Sequence, residues 1–178
     1  MAYTFDEPKA GLLQISQIDT GVTMANGTSA IPTPPNVLGG IVRAFDPTYG
    51  EGEFILLKGV ASTTVGSLVT YDGTTYATTL CATTANQARP VAISMAANTA
   101  ATTFSWYQIA GTAVAAKSTS SNFAPTVALG VKSTGKVGAT GSGKEILAAR
   151  TANTATVASA TTTVTVVLNR PHLQGRVT

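Results

Sequence analysis

From residue 52 onward the chain consists of short apolar runs and two-residue alternations, each closed by Gly, Asn, Asp or a Ser/Thr cluster. Strict alternation over four to eight residues marks a strand with one face on a core. Residues 102–109 show it: Phe104, Trp106 and Gln108 fall on one parity, and Ser105, Tyr107 and Ile109 on the other. Residues 155–168 show it again, with Thr162, Val164, Val166 and Leu168 in phase and a turn expected near Ala158-Ser159-Ala160. Further strands are expected at 53–57, 89–95, 112–116, 127–131 and 144–149. The pair 65–71 and 74–78 flanks Asp72-Gly73, a dipeptide that tolerates positive φ and predicts a two-residue hairpin turn. No stretch sustains a helical period over three turns; only 82–88 suits a single helical turn. Many short strands with regular turn signals predict an all-β domain, a β-sandwich or β-barrel of jelly-roll type.

The first fifty residues are patterned differently. Asn26-Gly27, Pro32, Pro34, Pro35 and Gly39-Gly40 punctuate them, and clustered prolines favour an extended path outside any central strand. The reading is an extended N-terminal arm over 1–50, with a short strand at 12–18, followed by a β-rich domain over 51–178. Tyr3, Phe5, Leu12, Leu13, Ile15 and Ile18 give the arm enough apolar surface to dock. Deleting residues 2–40 is then expected to abolish docking while leaving the β domain folded.

Composition turns attention away from catalysis. Only 11% of the 178 residues are charged, against roughly a quarter in ordinary domains. After Asp72 the only side-chain carboxylate is Glu145, whereas most enzymes need placed acids, bases or metal ligands. Charge is also divided unevenly. Residues 1–60 hold Asp6, Glu7, Asp19, Asp46, Glu51 and Glu53 against Lys9, Arg43 and Lys58, a net −3. Residues 61–178 hold Arg89, Lys117, Lys132, Lys136, Lys144, Arg150, Arg170 and Arg176 against Asp72 and Glu145, a net +6. Such polarity suits head-to-tail or acidic-surface docking; scattered solubilising charge accounts for it equally well. The cations are singly spaced with no aromatic stripe between them, so nucleic acid is not an expected partner.

Candidate chemistry is thin. Gly138–Lys144 spells G-x-x-x-x-G-K, but Glu145 stands where a phosphate loop needs Ser or Thr for magnesium; a Gly/Ser-rich connecting loop is the better reading. His172 is the only histidine and Cys81 the only cysteine, so no metal set, triad or intrachain disulfide is expected. The pairs Asp6–Glu7 and Glu51–Glu53 read as solvated charge rather than glycosidase acids. Asn26-Gly27-Thr28 matches a glycosylation sequon, but no secretory signal accompanies it and no apolar run reaches membrane-spanning length. Synthesis in a cytoplasm is expected. Trp106 and Tyr107 are the richest sources of contact area, as core or interface anchors.

Five segments in order carry a resemblance: Gly52-Glu53-Phe54-Ile55-Leu56-Leu57-Lys58-Gly59-Val60-Ala61-Ser62; Val65-Gly66-Ser67-Leu68-Val69-Thr70-Tyr71-Asp72; Arg89-Pro90-Val91-Ala92-Ile93-Ser94-Met95-Ala96; Phe104-Ser105-Trp106-Tyr107-Gln108-Ile109-Ala110-Gly111; and Val164-Thr165-Val166-Val167-Leu168-Asn169-Arg170-Pro171. Together they resemble structural proteins of tailed-bacteriophage heads, and specifically the capsid decoration, or cement, proteins. The resemblance implies a β-rich, often trimeric protein on the outer surface of an icosahedral head. Its expected partners are the major capsid protein and its own copies, with no cofactor, metal, membrane or small-molecule substrate. The interface candidates are Tyr3, Phe5, Pro32, Pro34, Pro35, Trp106, Tyr107 and Arg170. The rival reading is a glycan- or receptor-binding head-fibre or adhesin module that stacks Trp106 or a tyrosine on sugar.

Overall fold

A computed structural model describes residues 1–6, 11–21, 34 and 36–176. Twelve strands follow in order: β1 (Thr4–Phe5), β2 (Ile18–Asp19), β3 (Ile41–Asp46), β4 (Gly50–Lys58), β5 (Leu68–Tyr71), β6 (Thr78–Leu80), β7 (Val91–Ser94), β8 (Phe104–Ala116), β9 (Ala128–Ser133), β10 (Lys136–Gly138), β11 (Glu145–Thr151) and β12 (Thr163–Leu173). No helix occurs among the described residues. The chain is all-β, and every strand pairing is antiparallel. The main path runs β1-β3-β4-β8-β12-β11-β9-β10, with β5, β6 and β7 joined to it through β8. It is not closed into a barrel, which is consistent with the sandwich alternative.

The 13-residue strand β8 is the spine. Its first half pairs with β4, and its second half with β12. The expected alternation is present and separates two cores. Phe104 and Trp106 join Phe54 and Leu56 on one face; Tyr107 and Ile109 join Ile55 and Leu57 on the other. Over this second face lies the small β5–β6–β7 unit, in which β5 and β7 are buried on both sides. Val69 and Ala92 meet the Tyr107 core, while Leu68, Val91 and Ile93 meet a third core built from Val164, Val166, Leu168, Leu129 and Ile146. Double-sided burial is why Val91-Ala92-Ile93 reads as a continuous apolar run rather than an alternation.

Two irregularities shape the spine. The β4–β8 register slips between Glu53 and Phe54, leaving Ile109 as an extra residue on β8. Beside it Gly52 pairs with Gly111, whose φ is +91°; a side chain at Gly111 would collide with the Glu51 carbonyl. β11 and β12 bulge together where Ala148 (φ 59°) lies opposite the stretch holding Arg170 (φ 50°).

Several expectations are corrected. The described part of residues 1–50 is not an arm separate from the β domain. Tyr3 and Ile15 are buried in the Trp106 core, Phe5, Leu12, Leu13 and Leu38 pack against it, and β3 is a full neighbour of β4. A boundary at residue 50 falls inside the β3–β4 hairpin. The expected strand at 12–18 is irregular until Ile18, because the backbone turns to present Leu12, Leu13 and Ile15 to that core. The Asp72-Gly73 hairpin exists, but its loop spans 72–77, with Tyr71 opposite Thr78. Asp72 acts through its carboxylate, accepting from the Thr74 and Thr75 amides at 2.9 and 2.7 Å. Residues 82–88 form no helical turn, and Asn86 and Ala88 take positive φ.

Candidate functional site

On the face of β4 that carries Ile55, the β5–β6–β7 unit covers one end only. The other end is open. Direct cross-strand pairs place Ile41 beside Ile55, Arg43 beside Glu53 and Phe45 beside Glu51. Residues directly opposite share a face, and exposure climbs along it: Ile55 is 5% exposed, Ile41 47% and Phe45 52%.

Three acid–base pairs lie across this open end. Arg43 reaches Glu51 at 3.7 Å and Glu53 at 3.4 Å. Arg170 reaches the other oxygen of Glu53 at 3.1 Å. The register explains the reach: Glu53 on β4 is opposite Ala110 on β8, and Ala110 is opposite Asn169 on β12. The small Ala110 side chain lets Arg170 pass over β8, and the bulge at Arg170 aims it. A cavity of about 600 Å³ opens beside these residues, lined by Arg43, Glu53, Arg170, Ile41, Leu12 and Asp6. Apolar patches bordered by paired charge are the usual make-up of a protein-contact surface.

The interface candidates separate into groups. Tyr3, Phe5 and Trp106 converge, but inside the molecule. The Tyr3 ring meets Phe54 edge-on at 4.8 Å, and the Phe5 ring meets Trp106 at 6.2 Å. Trp106 Nε1 donates to the Leu13 carbonyl at 2.7 Å. At 1% exposure Trp106 is a core anchor rather than an interface anchor, because the N-terminal segment of its own chain occupies the surface it would otherwise present. Tyr107 is buried on the opposite face, its hydroxyl taking a hydrogen bond from Asn98 at 3.1 Å. That Asn98 amide also binds Ser105 at 2.9 Å. Burial pushes the Tyr107 phenol up, against the lowering effect of the surrounding side-chain hydrogen bonds. Only Arg170 stands on the open face. Pro34 is half-buried; Pro32, Pro35, Glu7 and the Asn26 sequon lie outside the described residues.

The remaining chemistry is dispersed. Among the described residues no group of three His, Cys, Asp or Glu could hold a metal ion, and no helix is long and apolar enough to cross a membrane. Cys81 is buried in the Leu129 core, and desolvation pushes its thiol up to about 12, which withholds the nucleophilic thiolate. His172 is exposed on β12, where it pairs with Leu147. Gly138–Lys144 links β10 to β11 and opens a strand, not a helix, so it has no helix N-terminus for a phosphate.

Sequence reading missed Ile41 and Phe45, although their alternation with Val42 and Ala44 was visible; proximity to the prolines hid it. It also missed Lys117, which is fully buried. Its ammonium donates to the carbonyls of Ser118, Ser159 and Thr161 at 3.0, 3.1 and 3.0 Å. Nothing in the local text distinguishes it from a surface lysine. Compared with known proteins, the chain matches no family model, no curated sequence and no solved structure.

Proposed function

We propose that this chain is a non-enzymatic virion structural protein, a capsid decoration or cement protein that binds the outer surface of a phage head as a trimer and stabilises it. One observation carries the reading. The five segments that resemble phage-head proteins are dispersed over 120 residues of sequence, yet they fall on β4, β5, β7, β8 and β12, of which β4, β7 and β12 pair with β8 and β5 pairs with β7. The segments that carry the likeness thus lie on neighbouring strands of the one sheet, which is compatible with the reading. The open face with Ile41, Phe45 and the Arg43–Glu53–Arg170 group supports the reading as a surface available to the major capsid protein. Many modest contacts of this kind add by multivalency on a repeating shell.

The rival glycan-stacking reading loses its main residue, since Trp106 is interior; Tyr3 and Tyr107 are buried as well, and Tyr49, Tyr71 and Tyr76 are only partly exposed. The test is co-sedimentation of the purified chain with undecorated heads, paired with native mass spectrometry. Saturable binding by a trimer, with a raised temperature of head disruption, is expected. A chain that leaves heads undecorated at micromolar concentration overturns the proposal.

A further inference from the structure

The cations of the second half of the chain have divergent fates. Lys117 is buried on carbonyls and Arg170 is paired with Glu53. Lys132 and Lys144, by contrast, have no carboxylate within ion-pair distance among the described residues. They line one cleft of about 450 Å³, together with the hydroxyl residues Thr83, Thr140 and Ser142. No acid and no aromatic residue lines it.

The cleft is held in shape from both sides. The Lys144 amide donates to the Gly141 carbonyl at 2.9 Å, and the Val131 amide donates to the Lys144 carbonyl at 3.0 Å. On the far side the Asn86 amide donates to the Gly143 carbonyl at 2.8 Å. Gly138 is needed for the position of Lys132, because a side chain there would run into the lysine stem. The backbone that carries both lysines and the hydroxyl residues is thus set around one hollow, which reduces the backbone ordering cost of binding.

We propose that this cleft docks a carboxylate-bearing segment of a protein partner, taking Asp or Glu side chains between Lys132 and Lys144. Lysines acting as point charges with hydroxyl donors suit single carboxylates. The absence of a stacking ring in the lining disfavours nucleic acid. The inference rests on the decoration reading only for the identity of the partner, an acidic strip of the head surface.

The test is amide-resolved NMR titration of the full chain with poly-L-glutamate, inorganic phosphate and single-stranded DNA in turn. Poly-L-glutamate is expected to shift the amides of Thr83 and residues 140–144. The apparent affinity should fall several-fold between 50 and about 200 mM salt, as screening requires, and the shifts should vanish in K132Q/K144Q. A folded K132Q/K144Q variant is confirmed by an unchanged amide spectrum elsewhere. No shift with poly-L-glutamate, or an equal response to DNA or phosphate, overturns the proposal. Head binding separates the two levels: a wild-type chain that binds poly-L-glutamate but not heads sinks the decoration reading alone. A K132Q/K144Q variant that decorates heads normally sinks the cleft as the docking point.

Discussion

Arg170 holds the carboxylate of Glu53, 117 residues earlier in the chain, at 3.1 Å, and does so from a left-handed backbone conformation with φ 50°. Two opposing terms meet at one residue: an ion pair across β8, and a conformation that costs a non-glycine residue about 1 kcal/mol.

Substitution separates them. Arg170→Ala loses the ion pair and keeps the strain, and is expected to destabilise by about 1 kcal/mol, since Arg170 is largely exposed and such pairs are weak. Arg170→Gly loses the pair but relieves the strain, and should recover most of that loss. Urea unfolding of the three proteins checks this; a glycine variant less stable than the alanine variant contradicts the assignment of strain.

Asp46 ties the start of the chain to the β3–β4 hairpin. Its carboxylate accepts from the Ala2 amide at 2.6 Å and from Thr48 and Tyr49 at 2.8 and 3.1 Å. Burial by itself raises its pKa, but the three backbone donors outweigh it and the net value lies below 3.8. A folded-state value below the unfolded one gives stability that is present above the unfolded pKa and lost as pH falls through the folded pKa. Asp46→Asn should therefore be less stable than wild type near neutral pH, by about 1–2 kcal/mol. The difference should shrink below pH 3.8, read from urea midpoints across an acid series.

Lys117 has the opposite sign. Desolvation lowers its pKa below 10.5, so between the folded value and the unfolded one the unfolded chain binds more protons, and stability from this group rises with pH. Lys117→Met orphans three carbonyls and is expected to cost about 3 kcal/mol at neutral pH. The gap between wild type and variant should widen as pH climbs toward 10.5. Taking the difference cancels Tyr3, Tyr71 and Tyr107, whose pKa values burial raises. A gap that stays flat with pH shows that the ammonium is not desolvated.

Removing residues 2–20 is expected to destabilise the whole β domain by about 5 kcal/mol, because Tyr3 and Ile15 are core residues and each buried side chain contributes about 1.5–3 kcal/mol. The emission of Trp106, the only tryptophan, reports it directly. A blue-shifted maximum should move to the red when the Leu13 carbonyl and Phe5 ring are gone. Unchanged emission and stability restore the picture of a separable arm.

These cases show what was legible. Period-two text at Phe104–Ile109 and Val164–Leu168 reports burial directly, and those strands were found. Asp72 marked its turn correctly, though its carboxylate spread the turn over six residues. The error over the N-terminal fifty residues has one cause. Proline and glycine punctuation describes the local path of a chain, whereas the burial of Tyr3 and Ile15 is decided by strands that come later. The open face and the Lys132–Lys144 cleft were illegible for a related reason. Both are assembled by register across strands far apart in sequence, and the bulges that aim Arg170 have no local signature.

The position of β12 sets the order in which this molecule can be made. It is the last strand among the described residues, yet it lies in the interior of the sheet between β8 and β11. Until it emerges from the ribosome, the second half of β8 and the inner edge of β11 have no partner, and Val164, Val166 and Leu168 are missing from their core. The nascent chain must therefore hold two unpaired strand edges until β12 has emerged, and folding closes by insertion at the centre rather than by growth from one end. A chain stalled before that point is a template for aggregation, so exposure to self-pairing is greatest just before β12 emerges.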